Sequence, residues 1–139
     1  MNDHANPKTI LIVEDDLAML RILCDSLHRA GFLVIEARDG LEGLAAALGN
    51  NPDLILLDIL LPKMDGITVL QRLRDDERGV KIPVIILTNL SDAQSVYETL
   101  KRGLYRVTYD LAFDPAAPTP AAIVLRVNGT TGVPYDVGS

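Results

Sequence analysis

The chain has 139 residues, enough for one domain with a hydrophobic core but not for two domains of ordinary size. Its net charge of −6 argues against a general nucleic-acid or membrane-surface binder, because both of those surfaces attract basic proteins. The single cysteine, Cys24, cannot form an intrachain disulfide, residues 1–8 contain no apolar signal segment, and every apolar run is far shorter than the ~20 residues that span a membrane. We therefore expect a cytoplasmic protein without nucleic-acid or membrane partners.

Three continuous apolar runs predict strands that are buried on both faces. The runs are Ile10–Val13, Leu54–Leu57 and Val84–Leu87. Apolar residues that follow one another without alternating are typical of strands in a parallel sheet, where helices cover both faces. A weaker run, Leu33–Ile35, predicts an edge strand.

Segments with the apolar spacing of a helix lie between and after these runs. They predict helices over Leu17–Ala30, Leu41–Leu48, Ile67–Leu73 and Ser91–Leu100. The last of these begins with a capping box formed by Ser91 and Gln94. A strand followed by a helix, four times over, predicts an α/β fold with a doubly wound parallel sheet and right-handed crossovers.

The character of the sequence changes after Gly103. Residues 104–139 contain only five charged residues and four of the eight prolines. Tyr105–Phe113 alternates enough to predict a fifth strand, whereas Thr119–Val127 suits either a short helix that begins near Pro120 or another strand. We accordingly divide the chain into a body, residues 1–103, and an atypical C-terminal segment, residues 104–139.

Acidic and hydroxyl side chains follow three of the predicted strands. Glu14 and Asp15 follow the first strand, Asp58 follows the third, and Thr88 follows the fourth. In open α/β sheets ligands bind beyond the carboxyl ends of the strands, so these residues should meet at one edge. Crowded carboxylates repel one another and need a cation or a proton, and a small set of oxygen ligands suits Mg²⁺. Each of these residues, taken singly, also suits a purely structural role in a helix cap or a turn. Asp16, which follows Asp15, is expected to cap the following helix.

Three stretches of this sequence resemble the response-regulator receiver family of two-component signalling. They are Ile10–Asp16, Leu54–Gly66 and Pro83–Thr88. The resemblance covers about residues 8–103. It implies a flavodoxin-like receiver fold for this part of the chain.

The resemblance also implies roles for individual residues. Asp58 would be the phosphoacceptor, and Glu14 and Asp15 would hold Mg²⁺ together with Asp58 and the backbone carbonyl of Leu60. Thr88 would hydrogen-bond the phosphoryl group, which would come from a histidine kinase or a phosphotransfer protein. The chemistry agrees, because an aspartate carboxylate can attack phosphorus to form an acyl phosphate while the metal neutralises charge. Such a chain catalyses at most its own phosphorylation and is not a turnover enzyme.

The sequence departs from the family at one position of the site. The family has a lysine at the end of its fifth strand, and at the corresponding spacing from Thr88 this chain has Asp110. An aspartate there would add a fourth carboxylate to the site. The alternative function is therefore a phosphorylation-incompetent receiver fold that acts as a protein-interaction module. A metal-dependent phosphohydrolase is discounted, because it would need a second acid two residues after Asp58, where Leu60 stands.

Three origins of residues 104–139 remain open. The segment is a natural variant of the fold, a sequence foreign to a receiver that joins near Gly103, or an adaptation for contact with another chain. A sheet that lacks its usual edge and last helix invites pairing with a second copy. We therefore predict a homodimer or a domain swap through this segment.

Overall fold

A computed structural model describes residues 6–88, 105–112 and 122–130. The elements in chain order are β1 (Thr9–Val13), α1 (Leu17–Arg29), β2 (Leu33–Ala37), α2 (Gly40–Asn50), β3 (Leu54–Asp58), α3 (Gly66–Arg74), β4 (Val84–Thr88), β5 (Tyr105–Ala112) and β6 (Ala122–Thr130). The first four predicted strands and the first three predicted helices are confirmed. The fourth predicted helix, Ser91–Leu100, lies outside the described residues. None of the described helices could span a bilayer, the longest being α1 with 13 residues.

Six strands form one sheet in the order β2-β1-β3-β4-β6-β5. The first four strands of this order are parallel to one another, which confirms the predicted doubly wound parallel sheet for this part of the chain. The chain moves outward from β1 to β2 and then returns past β1 to β3. Right-handed connections on the two sides of β1 place their helices on opposite faces of the sheet.

The face that packs against α2 and α3 holds the larger core cluster. Its almost fully buried strand residues are Leu11, Val13, Ala37, Ile55, Leu57, Val84 and Ile86, and its buried helix residues include Ala47, Val69, Leu70 and Leu73. The smaller cluster on the other face joins Ile10 and Ile12 of β1 to Leu20 and Cys24 of α1. Successive residues of a strand point to opposite faces, so both faces of β1 are covered, and this is why its apolar run is continuous.

An aspartate caps the start of each described helix, at the carboxyl ends of the strands. Asp16 accepts from the N–H of Ala18 at 2.9 Å, Asp39 from Glu42 at 2.8 Å and Asp65 from Thr68 at 3.0 Å. Each carboxylate satisfies an N–H group that the first helical turn leaves without a partner. The predicted capping role of Asp16 is thus confirmed, and the three caps set the direction in which the chain leaves the sheet edge.

The C-terminal strands add an antiparallel hairpin to the parallel sheet. The strand beside β4 is β6, in antiparallel register with Thr88 opposite Ile123, and β5 pairs with the far side of β6. The sequence favoured a strand near residues 105–113, but the structure places that strand at the sheet edge rather than next to β4. Of the two alternatives open for residues 119–127, the structure has a strand. β5 and β6 follow one another in the chain and are antiparallel, an arrangement that needs only a short connection.

Candidate functional site

Three acidic residues meet at the carboxyl ends of neighbouring strands. Val13 of β1 lies opposite Leu57 of β3, so the residues that follow them, Glu14 and Asp58, emerge side by side. Carboxylate oxygens of Glu14, Asp15 and Asp58 lie within 4.8 Å of one another. The structure therefore brings together the three acids that the sequence placed at this edge.

The backbone and side chain of Glu14 are both held in place. Its N–H donates to the carbonyl of Ala37 in β2 at 3.0 Å, which continues the pairing of β1 past its last residue. Its Oε1 accepts from the N–H of Asp16 at 3.0 Å, and the residue is only 8 % exposed. Glu14 thus presents a buried carboxyl group to the cluster from the end of a strand that is paired on both sides.

The surroundings of Glu14 favour its protonated form. Burial is the largest cause and raises the pKa of Glu14 to about 7, with the negative charges of Asp58 and Asp15 adding to the effect and the N–H of Asp16 opposing it. Burial and like charges both penalise the carboxylate form, because burial removes solvating water and the neighbouring negative charges repel it. Without a cation, Glu14 therefore titrates near neutral pH rather than in the acidic range.

Asp58 is half-buried and forms a hydrogen bond with Glu14. Burial raises the pKa of Asp58, and the N–H groups of Ile59 and Leu60 and the hydrogen bond from Glu14 act in the opposite direction. The N–H of Ile59 donates to Oδ1 of Asp58 at 2.7 Å and so fixes the orientation of the carboxylate. Among the described residues, no lysine or arginine forms an ion pair with any of the three acids.

The donor set fits Mg²⁺. All three side chains offer oxygen, their summed negative charge lacks a cationic partner in the described part of the chain, and Asp15 is exposed. Mg²⁺ keeps several of its waters and uses one or a few carboxylates, which an open acidic cluster allows. Leu60 is exposed, and no N–H of the described residues donates to its backbone carbonyl.

Thr88 lies on the strand next to that of Asp58, whereas Asp110 lies far from Asp58 in the sheet. Thr88 ends β4, next to the strand that carries Asp58, and its side chain lies outside the described residues. Asp58 is paired with Leu87 of β4, Leu87 with Val124 of β6, and Val124 with Asp110 of β5. Asp110 therefore lies level with Asp58 but three strands away. At about 4.8 Å per strand its backbone is about 14 Å from that of Asp58. The expectation of a fourth carboxylate in the site is therefore wrong, because β6 separates β5 from β4.

Sequence reasoning missed an ion pair in the loop that follows β3. Nζ of Lys63, in the loop after β3, lies 3.3 Å from Oδ2 of Asp39, the residue that caps α2. The two residues are far apart in the sequence, and neither belongs to an apolar or acidic pattern. The one available signal was the helix-capping pattern of Asp39 and Glu42, which locates the helix start but not what it touches.

The chain belongs to the response regulator receiver domain family, whose sequence model matches residues 10–108. Two curated relatives illustrate the range of proteins in which such a domain occurs. The chain is 47 % identical over 94 residues to the DNA-binding dual master transcriptional regulator RpaA of Synechocystis, covering 68 % of this chain and 39 % of that protein. It is 42 % identical over 82 residues to the polar-differentiation response regulator DivK of Brucella anthropi, covering 59 % of this chain and 67 % of that protein. The chain thus spans well under half the length of RpaA.

Solved receiver structures share the fold. A putative response regulator from Chloroflexus aurantiacus superposes with a TM-score of 0.65 at 34 % identity, covering 70 % of this chain and 80 % of that one. The receiver domain of the sensor histidine kinase PA1611 from Pseudomonas aeruginosa, solved with a magnesium ion in its active-site cleft, gives 0.61 at 28 % identity over 66 % and 75 % of the two chains. Receiver domains are typically signalling modules rather than turnover enzymes.

Proposed function

We propose that this chain is the phosphoacceptor of a two-component phosphorelay and that Asp58 takes the phosphoryl group. The donor is a histidine kinase or a phosphotransfer protein. The observation that carries the proposal is the cluster of Glu14, Asp15 and Asp58, whose oxygens lie within 4.8 Å of one another at the carboxyl edge of a receiver sheet. These carboxylates and the carbonyl of Leu60 would hold Mg²⁺.

The contacts of Asp58 suit it to attack phosphorus. Its Oδ1 accepts from the N–H of Ile59, which orients the carboxylate for attack. Transfer forms the bond from a carboxylate oxygen of Asp58 to phosphorus and breaks the bond from phosphorus to the donor nitrogen, which keeps the electron pair and is neutralised by a proton. Bound Mg²⁺ would neutralise charge on the transferred group. Glu14 must lose its proton before its carboxylate can bind the metal. Thr88 is proposed to hydrogen-bond the phosphoryl oxygens.

Acetyl phosphate with Mg²⁺ tests the proposal without knowledge of the natural donor. The wild type is expected to gain the mass of one phosphoryl group, and Asp58→Asn is expected to gain none, because an amide is not a nucleophile towards phosphorus. Asp25→Asn removes an exposed acid from α1 and should behave as the wild type. Equal labelling of Asp58→Asn and wild type in intact-mass spectra would contradict the assignment of Asp58.

The second candidate is a receiver fold that binds protein partners without taking phosphate. The observation that favours it is the lack of a lysine at position 110, where the family has one and this chain has Asp110. The absence of any mass gain in the wild type, together with retained Mg²⁺ binding, would support it. Under either proposal the protein is not a turnover enzyme. We propose that it acts in the cytoplasm, which agrees with its free, buried Cys24.

Self-association is a further part of the proposal. β5 is the outermost strand at one side of the sheet, so one row of its backbone groups has no partner strand among the described residues. An unpaired strand edge is a template for another strand. We expect light scattering to give the mass of two chains at micromolar concentration, and the mass of one chain under these conditions would argue against a dimer.

A further inference from the structure

The loop that follows the phosphoacceptor strand rests on the first turn of α2. We call residues 59–65, between β3 and α3, the acceptor loop. The N–H of Gly40, the first residue of α2, donates to the carbonyl of Pro62 in this loop at 3.3 Å. A Cβ atom at Gly40 would lie 1.7 Å from the backbone oxygen of Met64. The two backbones therefore approach so closely that only glycine fits.

An ion pair joins the same two segments. Nζ of Lys63 lies 3.3 Å from Oδ2 of Asp39, while Oδ1 of Asp39 accepts from the N–H of Glu42 and caps α2. One carboxylate thus serves the helix with one oxygen and the acceptor loop with the other. The N–H of Glu42 and the ammonium group of Lys63 both lower the pKa of Asp39, which keeps it ionised. Lys63 adopts a left-handed backbone conformation with φ of 68°, which is uncommon for a residue with a side chain.

The ends of the acceptor loop are fixed separately from its middle. The N–H of Gly66 donates to the carbonyl of Ile59 at 2.9 Å and closes the loop at its base. Pro62 and Lys63, at its middle, are held by α2 through the contacts above. The carbonyl proposed to bind Mg²⁺ belongs to Leu60, which lies between the base and this second support.

We propose that the first turn of α2 is a positioning element for the metal site, with Asp39 and Lys63 as positioning residues. They hold the acceptor loop in one conformation, in which the carbonyl of Leu60 is already placed for binding at the acidic cluster. This inference rests on the proposed Mg²⁺ site. Because binding linkage is reciprocal, Mg²⁺ also stabilises the contact between the loop and α2.

The direction in which Lys63→Met changes the affinity for Mg²⁺ distinguishes a positioning role of Lys63 from simple charge repulsion. Removing a positive charge near a cation site would by Coulomb's law alone tighten Mg²⁺ binding. Loss of the positioning contact weakens it, by about two- to five-fold in Kd at low ionic strength, the size expected from a partly exposed ion pair. Lys63→Arg should retain the wild-type affinity, and Lys81→Met removes an exposed lysine outside this contact as the matched control.

The measurements are calorimetric titration with MgCl₂ and hydrogen exchange. Lys63→Met should bind Mg²⁺ more weakly than Lys81→Met, although their urea midpoints are alike, and the difference should shrink in 1 M KCl, where the Debye length is about 3 Å. Saturating Mg²⁺ should slow exchange at the N–H groups of Glu42 and Gly43 in the wild type and less so in Lys63→Met.

The result that overturns the inference is Mg²⁺ binding by Lys63→Met that equals or exceeds that of the wild type. If the wild type itself binds no Mg²⁺, the proposed metal site fails too, so the two failures are distinguishable. Gly40→Ala should also weaken Mg²⁺ binding, because its methyl group would displace the Met64 carbonyl. Should that variant fail to fold, the comparison of Lys63→Met with Lys81→Met still decides.

Discussion

At pH 8 and without divalent cations, the Glu14→Gln variant is expected to be more stable to urea than the wild type, by up to about 3 kcal/mol. The folded protein holds Glu14 in a buried cluster that raises its pKa to about 7 from an ordinary 4.5. Ionisation at pH 8 therefore costs free energy in the folded state that it does not cost in the unfolded chain. Gln is neutral and nearly isosteric, its oxygen still accepts from the N–H of Asp16, and its amide group donates to Asp58.

The sign of this effect depends on pH. Glu14 has a higher pKa folded than unfolded, so its contribution to stability is fully present below pH 4.5 and is lost as pH rises through about 7. The gain from Glu14→Gln should thus be near zero at pH 4.5 and largest above pH 7. Other titrating groups cancel when variant and wild type are compared at each pH by urea unfolding.

Two further measurements distinguish this explanation from a general effect of removing an acid. Glu77→Gln changes an exposed glutamate and should shift stability little at any pH. Saturating Mg²⁺ should stabilise the wild type much more than Glu14→Gln, because the ionised carboxylate is then a ligand. A stability difference between Glu14→Gln and wild type that stays constant from pH 4.5 to 8 would show that ionisation of Glu14 is not its cause.

Two glycine-to-alanine substitutions are expected to change stability in opposite directions. A Cβ at Gly66 would lie 2.3 Å from the backbone oxygen of Asp58 and 2.9 Å from Cα of Ile59. Both are backbone atoms at the end of β3, so relief requires the strand end or α3 to move. We expect Gly66→Ala to lower the free energy of unfolding by about 3 kcal/mol and to weaken Mg²⁺ binding, since the displaced backbone carries Asp58.

Gly49 provides the matched control. It lies near the end of α2, and a Cβ built there meets nothing within 4 Å. Gly49→Ala is expected to stabilise the protein by up to about 1 kcal/mol, because alanine restricts the unfolded chain and favours helix. Urea unfolding at one pH measures both variants. A similar loss of stability in both would mean that the close contact at Gly66 does not determine its effect.

The sequence predicted those parts of the fold that local patterns encode. The apolar runs of β1, β3 and β4 are continuous because helices cover both faces of the parallel sheet, and a run of this kind is visible without knowledge of its neighbours. The meeting of Glu14 with Asp58 followed from a general rule about parallel strands, since both residues come directly after a buried strand.

Features that depend on which segments become neighbours were not predictable in this way. A strand-like pattern at residues 105–113 indicates a strand but not whether it lies beside β4, and β6 takes that place by antiparallel pairing. For this reason the sequence wrongly predicted that Asp110 would add a carboxylate to the site. The contact between Lys63 and Asp39 likewise depends on how the acceptor loop packs on α2, which no periodicity records.

The direction of the β5–β6 hairpin has an evolutionary consequence. Ala112, where β5 ends, is opposite Ala122, where β6 begins, and the next residue of β6, Ile123, is opposite Thr88. The chain therefore leaves the sheet after Ala112 and re-enters it at Ala122 on the same edge as Asp58. Both ends of the connection are anchored in paired strands, so insertions or deletions between them would leave the register of those strands unchanged. Length and sequence can therefore diverge at this connection at little cost to the fold.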